Sequence, residues 1–207
     1  MPFKPEERQY RSFANPFNPV DKDDESKAFS VEGYATTFDV PYEFYRDYEG
    51  NPVYECIRST ALAGADMSDI IFQLNHAGAP LARLRNRSLQ VDCDSHGLHV
   101  KARLDGSQEA RELYESISNG LIDRMSWGFT IAPDGYEWDE ETRTATITKV
   151  DKVFDVSAVS FPANEDTAIH SARSYLDGVI DARRKELADS EREQEQRRKA
   201  ALKLRLL

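Results

Sequence analysis

The sequence contains little cysteine, and it has no long apolar run. Cys56 and Cys93 are the two Cys residues among 207, too few for a disulfide framework. No stretch of about 18 apolar residues is present, and the N-terminus has no apolar signal core. These absences predict a soluble protein made and kept in a reducing cytoplasm.

The chain also lacks positive net charge. Its 27 Lys and Arg against 37 Asp and Glu give −10 at pH 7. Binding to nucleic acid in general requires a basic surface that neutralises phosphates, so this class of function is disfavoured. A hydrophobic content of 40% still supports the core of one sizeable domain.

Composition divides the chain into three parts. Residues 1–28 are rich in Pro, Asn and charge, which predicts a flexible N-terminal arm, and residues 29–178 are predicted to form the folded domain. Residues 179–207 are predicted to form a charged helical tail. Within 180–207, nine Lys or Arg face six Asp or Glu, a charge of +3 that leaves −13 for the rest. The tail is either simply solvated or a segment that docks on a partner or is removed.

The folded domain is predicted to be mainly β with flanking helices, an α+β fold. Helices are expected over 107–119, as a short turn at 60–67, and from Asn164. Because so many strand edges are best hidden by closure, the strands favour a closed antiparallel β-barrel or a strongly curved sheet. The predicted strands are 29–36, 53–59, 69–76, 89–94, 98–105, 125–131, 136–139, 142–148 and 152–161.

One predicted strand has unequal faces. Alternation places Ser126, Gly128 and Thr130 on one side, where only small side chains occur and the Ser126 hydroxyl is open to another chain. An alternative remains, in which the strand is tightly packed or lies at an edge and Ser126 has no chemical role. The other side is apolar and predicted to face the core; it consists of Met125, Trp127, Phe129 and Ile131.

A nucleophilic serine needs a base, and the base needs a group that orients it. Of the four histidines, His76 is the best candidate for the base, because it ends an apolar strand and precedes a loop of small residues. His96, His99 and His170 are predicted to be surface residues.

Asp155 is the candidate orienting group. It lies inside an otherwise apolar strand, on a face that alternation shares with Val153, Ser157 and Val159. Asp is disfavoured within strands and costly to bury unpaired. It therefore either faces solvent or is bound by a donor such as His76 or the arginines near residue 85.

Other chemistries have less support. Asp92, Asp94 and His99 surround Cys93 in the sequence, but alternation points the thiol away from them, so no metal site is expected. The flanking Asp residues also oppose formation of a Cys93 thiolate. No phosphate loop or dinucleotide fingerprint occurs, and no cofactor is expected.

Three segments, in this order and spacing, resemble the prohead maturation protease family of tailed bacteriophages, relatives of the herpesvirus capsid-assembly proteases. They are Asn75-His76, the run from Gly120 to Phe129 and the run from Phe154 to Ala163. The run from Val31 to Ala35 also fits, so the resemblance covers about residues 29–172.

The resemblance implies a serine endopeptidase and a protease domain over 29–178. Ser126 would be the nucleophile, His76 the general base, and Asp155, where the family often has Glu, the group that orients His76. The implied fold is a closed β-barrel flanked by helices, with Ser126 on a barrel strand and the substrate strand running alongside Gly128 and Thr130.

The resemblance also implies partners. The substrates would be the phage's own assembly proteins, namely the scaffold or the N-terminal delta region of the major capsid protein, and the protease itself. Portal protein and further copies of the chain are partners that the sequence leaves open, whereas nucleic acid and membranes are not expected. The enzyme would act inside the prohead in the host bacterial cytoplasm, and the herpesvirus analogy places its oxyanion-binding amides in residues 83–85.

Two rival classes stay open. One is a non-catalytic capsid assembly or scaffolding protein that keeps the barrel and binds capsid subunits through the tail. The other is a small cellular hydrolase. His76, Ser126 and Asp155 together favour the protease, since a scaffold needs none of them. The absence of a Gly-x-Ser-x-Gly elbow disfavours the common esterase fold.

Overall fold

The computed structural model describes residues 7–13, 18–20 and 29–160, with single positions at 185, 188, 189 and 192. The helix predicted from Asn164 lies outside the described residues, and so does the predicted tail helix apart from those four positions. The boundaries of the three predicted parts of the chain stay a prediction. Within the described residues, no helix is both long and apolar enough to cross a membrane.

The described chain consists of thirteen strands and one helix. In chain order they are β1 (Gln9–Phe13), β2 (Asn18–Pro19), β3 (Ser30–Thr37), β4 (Tyr42–Arg46), β5 (Pro52–Ile57), β6 (Ile71–Leu74), β7 (Ala77–Arg83), β8 (Leu89–Cys93), β9 (Gly97–Arg103), α1 (Gln108–Ser118), β10 (Arg124–Ile131), β11 (Tyr136–Asp139), β12 (Thr144–Ile147) and β13 (Val150–Val159).

The strands form three open sheets, so the predicted closed antiparallel barrel is wrong. The first sheet has the order β1-β10-β13-β6-β7, the second β11-β12-β5-β4 and the third β2-β3-β9-β8. Two pairings, β12 with β5 and β13 with β6, are parallel. The prediction assumed that closure is the best way to hide so many strand edges. Here the sheets stay open, and their edge strands are short and carry charged residues, such as Glu43 and Arg46 in β4, which disfavour pairing with another chain.

The larger of two apolar core clusters joins the three sheets and the helix. It includes Val31 and Val100 from the third sheet, Ile57 and Ile147 from the second, and Trp127 from the first, all 0% exposed. Because the sheets bury their faces against one another, the fold removes apolar surface from water without closing a ring of hydrogen bonds.

The helix predicted over 107–119 is confirmed as α1. The Ser107 side chain caps its first turn by accepting a hydrogen bond from the Ala110 N–H at 3.1 Å. At its end Gly120 has φ +71°, and the N–H groups of Gly120 and Leu121 return to the carbonyls of Ile117 and Ser116. This Schellman arrangement directs the chain into β10. Residues 60–67 contain turns, so α1 is the one helix flanking the sheets within the range 29–160.

The strands with clear alternation are confirmed, and four others escaped prediction. The β8–β9 and β11–β12 hairpins occur where expected. In contrast, β1 and β2 lie in the predicted arm, β4 in a predicted aromatic loop, and β7 in the predicted small-residue loop after His76. None of these four shows a regular alternation of apolar and polar residues.

Candidate active site

The strand β10 provides the centre of the site and buries both of its faces. Met125, Trp127 and Phe129 are 0% exposed and Ile131 is 3% exposed, which confirms the predicted core face. The opposite face was expected to be open, but Ser126 is also 0% exposed. The prediction failed because it took account of β10 alone and not of the elements that cover it.

One of these elements is the neighbouring strand β1. It pairs antiparallel with β10, opposing Tyr10 to Gly128 and Ser12 to Ser126. The strand β13 pairs with β10 on the other side. The edge beside Gly128 is therefore occupied by the protein's own chain, and the expected placement of a substrate strand there is wrong.

His76 reaches Ser126 from a tight turn between β6 and β7. Asn75 and His76 are its two central residues and have φ values of 53° and 55°. Positive φ at both positions is the geometry of a type I′ hairpin turn, which is costly for a residue other than Gly, Asn or Asp. The Asn75 side chain holds the turn by accepting a hydrogen bond from the Ser160 N–H at 3.0 Å. His76 thus lies beyond the strand that it was predicted to end.

Asp155 reaches the same face through an irregularity in β13. Gly128 pairs with Asp155, but the next residue of β10, Phe129, pairs with Val153, so Phe154 is an additional residue in a bulge. The bulge turns Val153 towards the core and Asp155 towards Ser126, whereas simple alternation had placed Val153 and Asp155 on one face. Bulges of this kind often redirect a side chain beside a functional site.

The three side chains form one hydrogen-bonded chain. His76 Nε2 lies 2.7 Å from Ser126 Oγ, and His76 Nδ1 contacts Asp155 Oδ1 within hydrogen-bond range. A carboxylate can only accept, so Nδ1 carries the proton and Nε2 is the acceptor for the Ser126 hydroxyl. Ser157 donates a further hydrogen bond to Asp155 Oδ1 at 2.9 Å. The arrangement can remove a proton from Ser126 while a buried carboxylate fixes the imidazole.

Two neighbours of this chain were missed by sequence reasoning. Gly128 lies so close to Asp155 that a Cβ built on it would be 2.4 Å from Oδ2. Ser157 helps to hold the carboxylate, as noted above. Alternation did place Gly128 beside Ser126 and Ser157 beside Asp155, but nothing in the sequence indicated that the two pairs would face each other.

The other histidines stay apart from the site where they are described. His96 is exposed and His99 half-buried, and both rings lie against Tyr34 in the third sheet. His170 lies outside the described residues. Partial desolvation and the charges of Asp92 and Asp94 raise the pKa of the Cys93 thiol, as expected from its neighbours.

The amides expected to bind an oxyanion are partly occupied. The Arg83 N–H donates to Ser88 Oγ at 2.9 Å, and the Leu84 N–H donates to the Ile70 carbonyl at 3.0 Å. Neither can bind a substrate oxyanion without breaking these hydrogen bonds.

Comparison with known proteins gives one consistent result. A family model described as caudovirus prohead serine protease matches residues 18–179. The prohead protease of Enterobacteria phage HK97 is 29% identical over 156 residues, covering 72% of this chain and 61% of that protein. The chain therefore spans less than two thirds of the length of this relative. No solved structure matches the chain.

Proposed function

The chain belongs to the caudovirus prohead serine protease family, and we propose that it is a serine endopeptidase of phage capsid maturation. The observation that carries the proposal is the hydrogen-bonded chain from Ser126 through His76 to Asp155. A serine, a histidine and a buried carboxylate in this order are the components of acyl transfer by a serine nucleophile. Family membership supports the reaction class, and the geometry supports the choice of residues.

In the proposed first step, Ser126 Oγ attacks the carbonyl carbon of the scissile peptide bond. His76 Nε2 takes the hydroxyl proton as the new C–O bond forms, and the carbonyl electron pair moves onto oxygen. Asp155 stabilises the resulting imidazolium and keeps its orientation. Backbone N–H donors that bind the oxyanion would each lower the barrier by about 3–4 kcal/mol.

In the following steps, the tetrahedral intermediate collapses and the C–N bond breaks. His76 transfers its proton to the departing amine, which leaves an acyl group on Ser126. A water molecule then attacks this ester while His76 Nε2 takes a proton from it. Collapse of the second intermediate releases the carboxylic acid product and restores the Ser126 hydroxyl.

The proposed substrates are capsid-assembly proteins of the phage inside the prohead. We infer scaffold, the delta region of the major capsid protein and the protease itself, because the HK97 relative is a prohead protease. The proposed protease domain is 29–178, and the charged segment 179–207 is the part proposed to dock on a partner or to be removed.

Co-expression with the major capsid protein and scaffold tests this function. Gel electrophoresis and mass spectrometry should show cleaved products with the parental chain and none with Ser126→Ala or His76→Ala. Ser95→Ala is the matched control, because Ser95 is an exposed serine in the β8–β9 turn. Unchanged processing by Ser126→Ala would show that the serine protease assignment is wrong. Normal capsid assembly without any cleavage in all variants would instead favour a scaffolding role.

A further inference from the structure

The strand β1 is the feature of the site that family membership does not cover. The family match begins at residue 18, whereas β1 spans Gln9–Phe13. Alternation in a strand gives its residues two directions. Gln9 and Arg11 are 1% and 3% exposed and lie on the core side, while Arg8 and Tyr10 lie on the side of the candidate triad.

The core side fixes β1 in place. Two guanidinium nitrogens of Arg11, Nε and Nη2, donate to the Glu55 carboxylate at 2.5 and 2.8 Å, and Glu55 is 0% exposed. Withdrawing β1 would leave this carboxylate buried without its cation, which is strongly unfavourable. The strand is therefore held as a permanent neighbour of β10, unlike a substrate that must enter and leave.

The other side of β1 brings Tyr10 onto His76. The two rings have centroids 4.3 Å apart with an interplanar angle of 55°. Tyr10 can approach because its partner in the ladder is Gly128, where a Cβ would lie 3.0 Å from Tyr10 Cε1. The ring thus limits rotation of the imidazole away from Ser126.

Arg8 faces the second carboxylate oxygen of Asp155, Oδ2. Oδ1 is bound by His76 and Ser157, but Oδ2 is buried and makes no hydrogen bond to any residue that the structure describes. Arg8 Nη1 lies 3.8 Å from Oδ2, and the guanidinium rests over the Phe154 ring at 4.0 Å. The bulge residue Phe154 therefore supports the cation that faces the carboxylate.

We propose that Arg8 and Tyr10 are positioning residues of the protease, which hold Asp155 and His76 in the geometry needed to activate Ser126. The proposal rests on the proposed function, because it assumes that Ser126 is the nucleophile. Neither residue touches the reacting atoms. Arg8 acts through Asp155 by charge, and Tyr10 acts through His76 by contact.

The experiment measures how fast a small alkyl fluorophosphonate labels Ser126 in the full-length chain, followed by intact-protein mass spectrometry. This probe needs no extended binding site, so its maximal labelling rate reports activation of the serine, and its concentration dependence reports binding. The variants are Arg8→Gln, Arg8→Lys, Tyr10→Leu and Tyr10→Phe. Arg58→Gln is the control, because Arg58 is 47% exposed against 44% for Arg8 and pairs with Glu137 away from the site.

Arg8→Gln and Tyr10→Leu should lower the maximal labelling rate about tenfold, as expected for groups that orient a catalytic residue. The half-saturating probe concentration should stay near the parental value for Arg8→Gln. Thermal stability should fall only modestly, since Arg8 is 44% exposed and solvent screens its attraction to the buried Asp155 carboxylate. Arg8→Lys, which keeps the cation, and Tyr10→Phe, which keeps the ring, should retain most of the rate.

A second readout separates positioning from a general structural effect. In a Ser126→Ala background, the proton resonance of the His76 N–H bound to Asp155 should shift or broaden in Arg8→Gln and not in Arg58→Gln. Equal labelling rates and equal spectra for these two variants would overturn the proposal. Failure of the parental chain to label at Ser126 would instead refute the proposed function, so the two failures are distinguishable.

Discussion

Replacement of Gly128 by Ala provides a sensitive test of the site geometry. Gly128 lies on β10 directly opposite Asp155 and Tyr10, and its backbone is ordinary extended strand. Alanine therefore causes no backbone strain at this position. Its Cβ, however, would lie 2.4 Å from Asp155 Oδ2 and 3.0 Å from Tyr10 Cε1. The substitution acts on the site through one added methyl group.

The size of the effect follows from these distances. An ordinary contact begins at 3.4 Å, so the Asp155 carboxylate would have to move by about 1 Å. A misplacement of about 1 Å costs about 100-fold in rate, or about 2.7 kcal/mol of barrier. Overpacking destabilises a fold by about 1–3 kcal/mol, and the loss of glycine's freedom in the unfolded chain offsets about 0.4–1 kcal/mol. We therefore expect a large loss of rate with a modest loss of stability.

Two measurements check this expectation. The rate of Ser126 labelling by a fluorophosphonate and the free energy of unfolding in urea are compared for Gly128→Ala, the parental chain and Gly64→Ala. Gly64 is the control because a Cβ there would meet nothing within 4 Å. Gly128→Ala with parental labelling and parental stability would refute the close packing of Asp155 over β10 and the reasoning built on it.

Three further predictions concern buried or partly buried charges. Asp155→Asn should fold but lose about 10⁴-fold in rate, because an amide in place of the carboxylate favours the wrong imidazole tautomer; an undiminished labelling rate would remove Asp155 from the triad. Glu55→Gln should lower the free energy of unfolding in urea by about 3–5 kcal/mol, because it leaves Arg11 buried without its anion. The double variant Arg11→Met and Glu55→Leu should lose less stability, because it removes both charges. Equal losses of stability in the two variants would contradict this reasoning. Burial alone would raise the pKa of Asp47, but backbone N–H donors and Arg143 hold it below the ordinary value. The stabilisation by ionised Asp47 is complete above the unfolded pKa of about 3.9 and is lost as pH falls through the lower folded pKa. The free energy of unfolding in urea should therefore fall less steeply with decreasing pH in Asp47→Asn than in the parental chain.

The parts of the fold that sequence predicted are those determined locally. The helix α1 begins at a capping Ser107 and ends at Gly120, and its apolar stripe includes Leu113 and Ile117, both buried. The core face of β10 was equally clear, because alternation depends only on neighbouring residues. The family predicted from three short segments is confirmed by the match over residues 18–179.

The errors concern relations between distant segments. Whether sheets close depends on which strands become neighbours, and β6 with β13 or β5 with β12 pair across long stretches of chain. The strand β1 escaped prediction because Gln9 and Arg11 occupy its core side, where alternation expects apolar residues. Their burial is tolerated only because Arg11 meets Glu55, a pairing across 44 residues that no local pattern reveals.

The candidate site shows the same division between local and distant information. The sequence singled out Ser126, His76 and Asp155 as chemically unusual, and the structure brings all three together. The sequence did not indicate that a bulge at Phe154 would turn Asp155 towards Ser126, because a bulge reverses alternation without leaving a composition signal. The absence of bulky side chains on the Ser126 face was taken to indicate an open surface, whereas it reflects close packing by neighbouring side chains.

The face of β10 that carries Ser126 has only small side chains because groups from neighbouring strands fill the space next to it. The small side chains do not mark a place for a substrate strand. Gly128 leaves the space that the Asp155 carboxylate and the Tyr10 ring occupy. Since β1 and β13 already satisfy both edges of β10, a peptide cannot reach Ser126 by adding a strand to it. The small residues beside Ser126 therefore indicate how closely neighbouring side chains pack against this face of β10, and not an open surface.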